Sequence, residues 1–255
     1  MESQSVLDSH GAAGLEPHAP LPAYYPPGQK SGFLRGIFDR TAGDYDRIER
    51  LMALGTGAWY RRAALRRAGL AAGMKVLDVA AGTGAVAREA LGIVGPGGSV
   101  VALDPSAGML GRLVERVAIR VVRATGEHLP LADGQFDFLS VGYALRHLAD
   151  LAQALREFHR VLRPGGVVCL LEITAPQRPL PRMLARAYFR GLVPCITRLA
   201  ARHADSQLLW RYYWDTIDAC VPPGRVLEAM TAAGFERANR YSEMGIFSEF
   251  TGVKR

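Results

Sequence analysis

Val76-Leu77-Asp78-Val79-Ala80-Ala81-Gly82-Thr83-Gly84 decides the fold of this chain, because a short apolar run carries one acid and ends in two close glycines. Val76, Leu77 and Val79 suit a strand covered on both faces. Gly82 and Gly84 permit the sharp bend and the close approach to a ligand that a cofactor-binding turn needs. Ala85 to Leu91 then reads as the helix leaving that turn.

Two cofactor classes use such a turn. Gly82-x-Gly84-x-x-Ala87 fits the dinucleotide fingerprint in its G/A form, and Asp104 follows near the spacing of its ribose-binding acid. A third glycine is missing, however, and Asp78 would repel a diphosphate. A cofactor carrying an ammonium and a sulfonium tolerates that charge, so the residues favour S-adenosylmethionine over NAD and leave both open.

Outward from the turn, strands and helices alternate. Ser99 to Leu103 reads as the second strand, ending at Asp104; Ala107 to Val117 as a helix; Ile119 to Val122 as the third strand. Phe136 to Val141 follows as the fourth, Leu151 to Leu162 as a helix, and Val167 to Ile173 as the fifth strand after a turn Arg163-Pro-Gly-Gly166. Val226 to Ala233 is a helix capped by Gly234, and Phe235 to Tyr241 with Ile246 to Val253 form an antiparallel hairpin. The expected fold is α/β: a doubly wound, mostly parallel, seven-stranded Rossmann-like sheet with an antiparallel last strand. Its ligands belong beyond the carboxyl ends of the strands.

Three segments stand outside the alternation. Residues 1 to about 30 hold Pro17, Pro20, Pro22, Pro26 and Pro27 and read as a disordered arm. Residues 31 to 70 read as a helical lid, with Phe38, Tyr45, Ile48, Leu51 and Met52 at helical spacings and Tyr45 facing the cofactor or packing the lid. Within 71 to 255, a helical insertion spans about 176 to 221. There Arg178, Arg182, Arg186 and Arg190 recur opposite Leu184, Tyr188 and Leu192 until Pro194 breaks the helix. Such a basic amphipathic helix lies on an anionic membrane or presents a solvated face over a buried stripe.

Composition narrows the classes. The 255 residues are 49% hydrophobic, enough for a substantial core, and no run of 18 apolar residues is present. The amino terminus shows no secretory pattern, so a cytoplasmic protein is expected, peripheral to the inner face of a membrane if the basic helix docks there. Cys169, Cys195 and Cys220 lie far apart without metal-ligand spacing, which implies no metal. The net charge of +7 comes mainly from arginine, but no nucleic-acid motif accompanies it.

Beyond the single turn, the chain resembles the class I S-adenosylmethionine-dependent methyltransferases, and within them the ubiquinone/menaquinone biosynthesis C-methyltransferases. Arg160-Val-Leu-Arg-Pro-Gly-Gly-Val-Val-Cys-Leu-Leu-Glu172-Ile-Thr174 looks like that subfamily's second signature, with Arg163 for Lys and Thr174 for Ser. Phe136-Asp137 with Tyr143-Ala-Leu-Arg-His147 looks like its F-D…F-G-L-R-N segment. Arg211-Tyr212 matches its Y-R-Y stretch, although Trp210 replaces the first Tyr. The first signature departs: its Asn, Ser, His and Trp correspond to Glu49, Ala53, Gly57 and Tyr60, and Phe250 stands where a His is usual.

The resemblance implies roles. Gly82, Thr83 and Gly84 would line the methionine part of S-adenosylmethionine, Asp104 would hold the ribose, and Thr125 and Gly126 would lie by the adenine; Gly142, in the place of a Ser, would keep a backbone contact, and Tyr45 and Asp78 are further candidates to meet the cofactor. Arg211 and Tyr212 would meet a small aromatic or prenylated quinol. Arg146 would favour its phenolate and His147 would act as base or orient the ring. Rival readings are a relative acting on another natural-product scaffold at C, N or O, an NAD-dependent oxidoreductase, and a binding protein that kept a vestigial cofactor fold.

Overall fold

The computed structural model describes residues 14–200 and 204–255; the disorder expected of residues 1–13 lies outside the described residues. Seven strands form one sheet: β1 (Lys75–Val79), β2 (Ser99–Leu103), β3 (Arg120–Val122), β4 (Phe136–Gly142), β5 (Leu162–Ile173), β6 (Phe235–Glu243) and β7 (Phe247–Lys254). Their spatial order is β3-β2-β1-β4-β5-β7-β6, with β7 antiparallel to both neighbours and every other pair parallel. The order reverses between β1 and β4, which makes their carboxyl ends the switch point where α/β sheets bind ligands.

Period-two alternation sends side chains to two cores. Val76, Val100, Phe138, Cys169 and Leu171 meet α2 (Gly57–Arg67) and α3 (Ala85–Val94) on one face. Leu77, Val79, Leu139, Val141 and Val168 meet α5 (Leu151–Val161) and α9 (Pro223–Ala232) on the other. Burial on both sides is why these strands read as nearly continuous apolar runs. The short α4 (Ala107–Val114) is capped by the Ser106 hydroxyl, which accepts from Met109 N, and packs Leu110 and Leu113 near Ala102.

A helical layer covers the carboxyl ends. It comprises α1 (Lys30–Met52), α6 (Pro179–Ala187), α7 (Val193–Ala200) and α8 (Ala204–Ala219). Ile48 of α1 packs with Ala185, Phe189, Trp210, Trp214 and Ile217 in one cluster, so the lid and the insertion share a core.

Four expectations change. Residues 14–29 are packed rather than disordered: Leu151 N donates to Leu15 O at 2.9 Å, Val221 N to Pro17 O at 2.8 Å, and Tyr25 is buried beside Tyr212. Two adjacent tyrosines anchor the segment, which turns at Leu21–Tyr24 and again at Pro26–Gln29. The lid is two helices, parted at residues 53–56. Arg163-Pro-Gly-Gly166 belongs to β5, because Phe136 pairs with Leu162 and Phe138 with Val167, leaving the extra residues as a bulge. Pro194 does not end the insertion helix. A π-turn at Tyr188–Leu192, closed by Val193 N–H on Tyr188 O, shifts the register just before the residue without a donor.

Gly84 holds φ at +83°, and a Cβ there would lie 2.8 Å from Leu113 Cγ. Gly84→Ala is expected to cost about 1–3 kcal/mol of stability in a urea titration. An unchanged midpoint would show that the turn tolerates a side chain.

Candidate active site

The carboxyl ends of β1 and β4 are each followed by a residue held in the left-handed region, Ala80 at φ 53° and Tyr143 at φ 58°. Such backbone persists only where the surroundings over-determine it, and both residues sit at a ligand-sized opening. Two cavities meet there, of about 170 Å³ and about 810 Å³, and share Tyr45, Ala80, Gly82, Gly142 and Tyr143 in their walls.

The smaller cavity lies over β2 and β4. Asp104 accepts hydrogen bonds from Gly82 N and Ser106 N, both at 2.8 Å, and burial pushes its carboxyl up to about 6. Thr125, Gly126 and Gly142 line the same space. A Cβ on Gly142 would sit 2.5 Å from Val86 Cγ2 and one on Gly126 3.0 Å from Leu148 Cδ2, so both positions bring backbone to the wall. Glu127, which the sequence reading passed over, also lines this cavity and accepts from Ala149 N at 2.6 Å.

The larger cavity opens over β1. Asp78 accepts from the Ser140 hydroxyl at 2.7 Å, while its Oδ2 is sealed from solvent without a hydrogen-bond partner. Burial raises this carboxyl to about 7. The Thr83 hydroxyl donates to Asp46, which ties α1 to the glycine turn. Tyr45 lines both cavities and stacks on Trp210, with ring centroids 5.6 Å apart. The orphaned Asp78 oxygen, the Asp104 carboxylate and these aromatic rings suit S-adenosylmethionine, whose ammonium, ribose hydroxyls and sulfonium each find a matching group.

Some expected site residues stand elsewhere. Gly84 lines neither cavity; its role is the turn and the contact with Leu113. Arg146 is completely buried behind the wall, where it pairs with Glu172, donates from Nε to the Thr216 hydroxyl at 3.2 Å and lies 4.0 Å from the Tyr213 ring centre. This pairing takes its charge away from any phenolate. Arg211 is exposed, and Tyr212 points to Tyr24, Tyr25 and Phe33. Trp210 and Tyr213 face the cavity instead. Their spacing of three on α8 was the signal available for finding them.

His147 lines the smaller cavity and stacks on Tyr212 at 5.8 Å. Burial, and then the Arg146, Lys30 and His18 charges, hold its pKa well below the usual value. Both ring nitrogens lack a partner. A ring that resists protonation is a poor base but still a hydrogen-bonding surface.

The ubiE/COQ5 methyltransferase family profile matches residues 28–254. The chain belongs to that family. It is 33% identical over 234 residues to a ubiquinone/menaquinone biosynthesis C-methyltransferase of Hahella chejuensis, covering 89% of this chain and 93% of that one. A Shewanella oneidensis protein of the same name is 32% identical, with coverages of 89% and 92%. Among solved structures, an S-adenosylmethionine-dependent methyltransferase from Thermotoga maritima superposes with a TM-score of 0.63 at 20% identity, covering 87% of this chain and 100% of that chain. One from Aquifex aeolicus gives 0.60 at 18% identity, with coverages of 82% and 98%. These two likenesses bear on the fold alone. Family membership makes the chain an S-adenosylmethionine-dependent methyltransferase and removes the NAD-dependent oxidoreductase and the vestigial binding protein.

Breaking the Arg146–Glu172 pair leaves a buried charge without compensation. Arg146→Met or Glu172→Gln is expected to lose about 3–5 kcal/mol in denaturant unfolding, and Arg146→Met with Glu172→Leu to recover much of it. Equal losses in single and double variants would refute the ion-pair account.

Proposed function

We propose that this methyltransferase transfers its methyl group to a ring carbon of a prenylated hydroquinone. The observation that carries the reading is the larger cavity: it adjoins the cofactor side and is walled by Tyr45, Tyr60, Tyr143, Trp210 and Tyr213. It opens between Leu54, Trp59, Leu180 and Met244, which are 61–86% exposed. An aromatic chamber beneath an apolar mouth suits a flat ring with a lipid tail. The names of the Hahella and Shewanella relatives support that substrate.

The cofactor supplies an activated methyl group, and the chain's residues position its acceptor. In this reading Asp104 holds the ribose hydroxyls, Asp78 faces the ammonium, and Gly82, Thr83 and Gly84 shape the turn around the methionine part. Thr125, Gly126 and Gly142 pass the adenine, and Tyr45 closes over the sulfonium. His147, on the wall of the smaller cavity, does not act as the base, because burial disfavours its protonated form. The lid helices α1 and α2 cover the chamber.

The exposed apolar mouth docks on an anionic membrane at its cytoplasmic face, and the insertion carries exposed arginines, Arg178 and, paired with Asp218 and Asp215, Arg182 and Arg190. No helix among the described residues is long and apolar enough to cross one. A different hydroxylated aromatic scaffold is the second reading. One observation favours it: Glu49, Ala53, Gly57 and Tyr60, the four departures from the first signature, all line this cavity.

Labelled S-adenosylmethionine should pass its methyl to demethylmenaquinol-type or demethylubiquinol-type quinols, faster in phosphatidylglycerol-containing vesicles than in phosphatidylcholine alone. Label appearing only in another aromatic compound of a cell extract would give the second reading the substrate. Equal rates in the two vesicle types would remove the membrane contact.

The Asp78 carboxyl near 7 gives a second test. A bound ammonium favours the carboxylate, so binding displaces a proton and affinity for S-adenosylhomocysteine should rise between about pH 5 and 7. Asp78→Asn should flatten that rise in isothermal titrations. A slope as steep in Asp78→Asn as in the native chain would take Asp78 out of cofactor binding.

A further inference from the structure

The wall of the larger cavity contains a charged pair that no role described so far requires. Arg61 of α2 donates from Nη1 to Glu49 Oε1 of α1 at 2.8 Å, and its side chain is only 7% exposed. Both residues line the cavity. The Arg61 Nε–H is sealed from solvent and has no hydrogen-bond partner. A brace between two helices needs no unsatisfied donor, and leaving one buried is costly.

Gly57 makes room for the pair. Its backbone is not left-handed, so the turn does not demand glycine. A Cβ there would lie 2.9 Å from Glu49 Oε1 and 3.1 Å from each Arg61 Nη. Glutamate, glycine and arginine at 49, 57 and 61 are therefore one spatial set: the acid and the cation meet where the side chain between them is absent.

We infer that the Arg61–Glu49 pair is a subsite for an acidic ring hydroxyl of the methyl acceptor, with Glu49 accepting from the hydroxyl and Arg61 donating to the same oxygen. The inference rests on the reading of the acceptor as a hydroxylated aromatic. A carboxylate beside a guanidinium matches a phenol in both directions, because the phenol has one donor and one acceptor to offer. As the O–H bond breaks, the proton passes to Glu49 and the electron pair stays on the ring oxygen beside Arg61, so the charge moves from one oxygen to another without loss. Electron density then reaches the ring carbon that forms the new bond to methyl. Arg146 and His147 leave this task vacant, the first by its pairing with Glu172 and the second by its resistance to protonation.

The test compares 1-naphthol with 1-methoxynaphthalene, which cannot donate, by quenching of tryptophan fluorescence in the chain saturated with S-adenosylhomocysteine. The native chain is expected to bind the naphthol about tenfold more tightly or better, since a site built to pair a hydroxyl rejects the analogue lacking it. Gly57→Ala displaces the pair through the flexible ends of two side chains, and Glu49→Leu removes the acceptor. In both, the preference should fall to about threefold or less while S-adenosylhomocysteine affinity holds; Gly57→Ala should keep the melting temperature, and Glu49→Leu, which leaves Arg61 without its partner, should lower it. No preference in the native chain, or a preference intact in both variants, overturns the inference. A preference that the variants abolish, in a chain that labels no quinol, keeps the subsite and sinks the quinol reading.

Discussion

One buried cation holds the cap to the sheet. Arg146 leaves the carboxyl end of β4, pairs with Glu172 on β5, bonds Thr216 and lies over Tyr213, both on α8. Removed from water, its charge is tolerable only while those partners surround it, so the strand ends and the helix stay together. The face of α8 that carries Trp210 and Tyr213 is thereby fixed over the opening between β1 and β4. The aromatic chamber is a consequence of how a guanidinium is compensated.

The retained and the altered parts of the family pattern divide along physical lines. Retained or conservatively exchanged residues brace the fold: Arg163, in place of Lys, meets Asp137 at 2.5 Å, Thr174, in place of Ser, bonds Ser248 at 2.8 Å, and Glu172 compensates Arg146. Four of the altered positions, Glu49, Ala53, Gly57 and Tyr60, face the chamber. Phe250 differs too but sits in the core between sheet and helices. A resemblance carried by braces speaks strongly for architecture and cofactor, whereas the chamber wall speaks for the acceptor.

Most of the sheet was legible because buried strands announce themselves as apolar runs between turns. Ser99–Leu103 has the bounds its residues suggested, and the first turn falls where Gly82 and Gly84 put it. Local chemistry misled where a distant partner decided the outcome. Gly165 and Gly166 look like a turn, yet pairing with β4 carries the strand through them as a bulge. Prolines suggest a loose arm, yet Tyr24 and Tyr25 dock it. Gly82 and Asp104, suggested by spacing, and Asp78, suggested by its charge before the turn, all line the cavities. The facing of α8 was not legible, because matching letters such as Arg211 and Tyr212 say nothing of which side of a helix meets the cavity.

The amino-terminal strap reaches Asp215 through the Tyr24 hydroxyl, a separation of 191 positions. Its neighbour Tyr25 packs on Tyr212, which stacks on His147 at the cavity wall. The strap meets its first hydrogen-bond partners, Asp150 and Leu151, at the start of α5, but its aromatic partner Tyr212 lies on α8, which follows β1 to β5 in the chain. Loop closure over such a span is slow to be rewarded, so the strap is among the last elements to settle. Completion of the smaller cavity's wall at His147 is thus a report that the elements between the strap and α8 have folded.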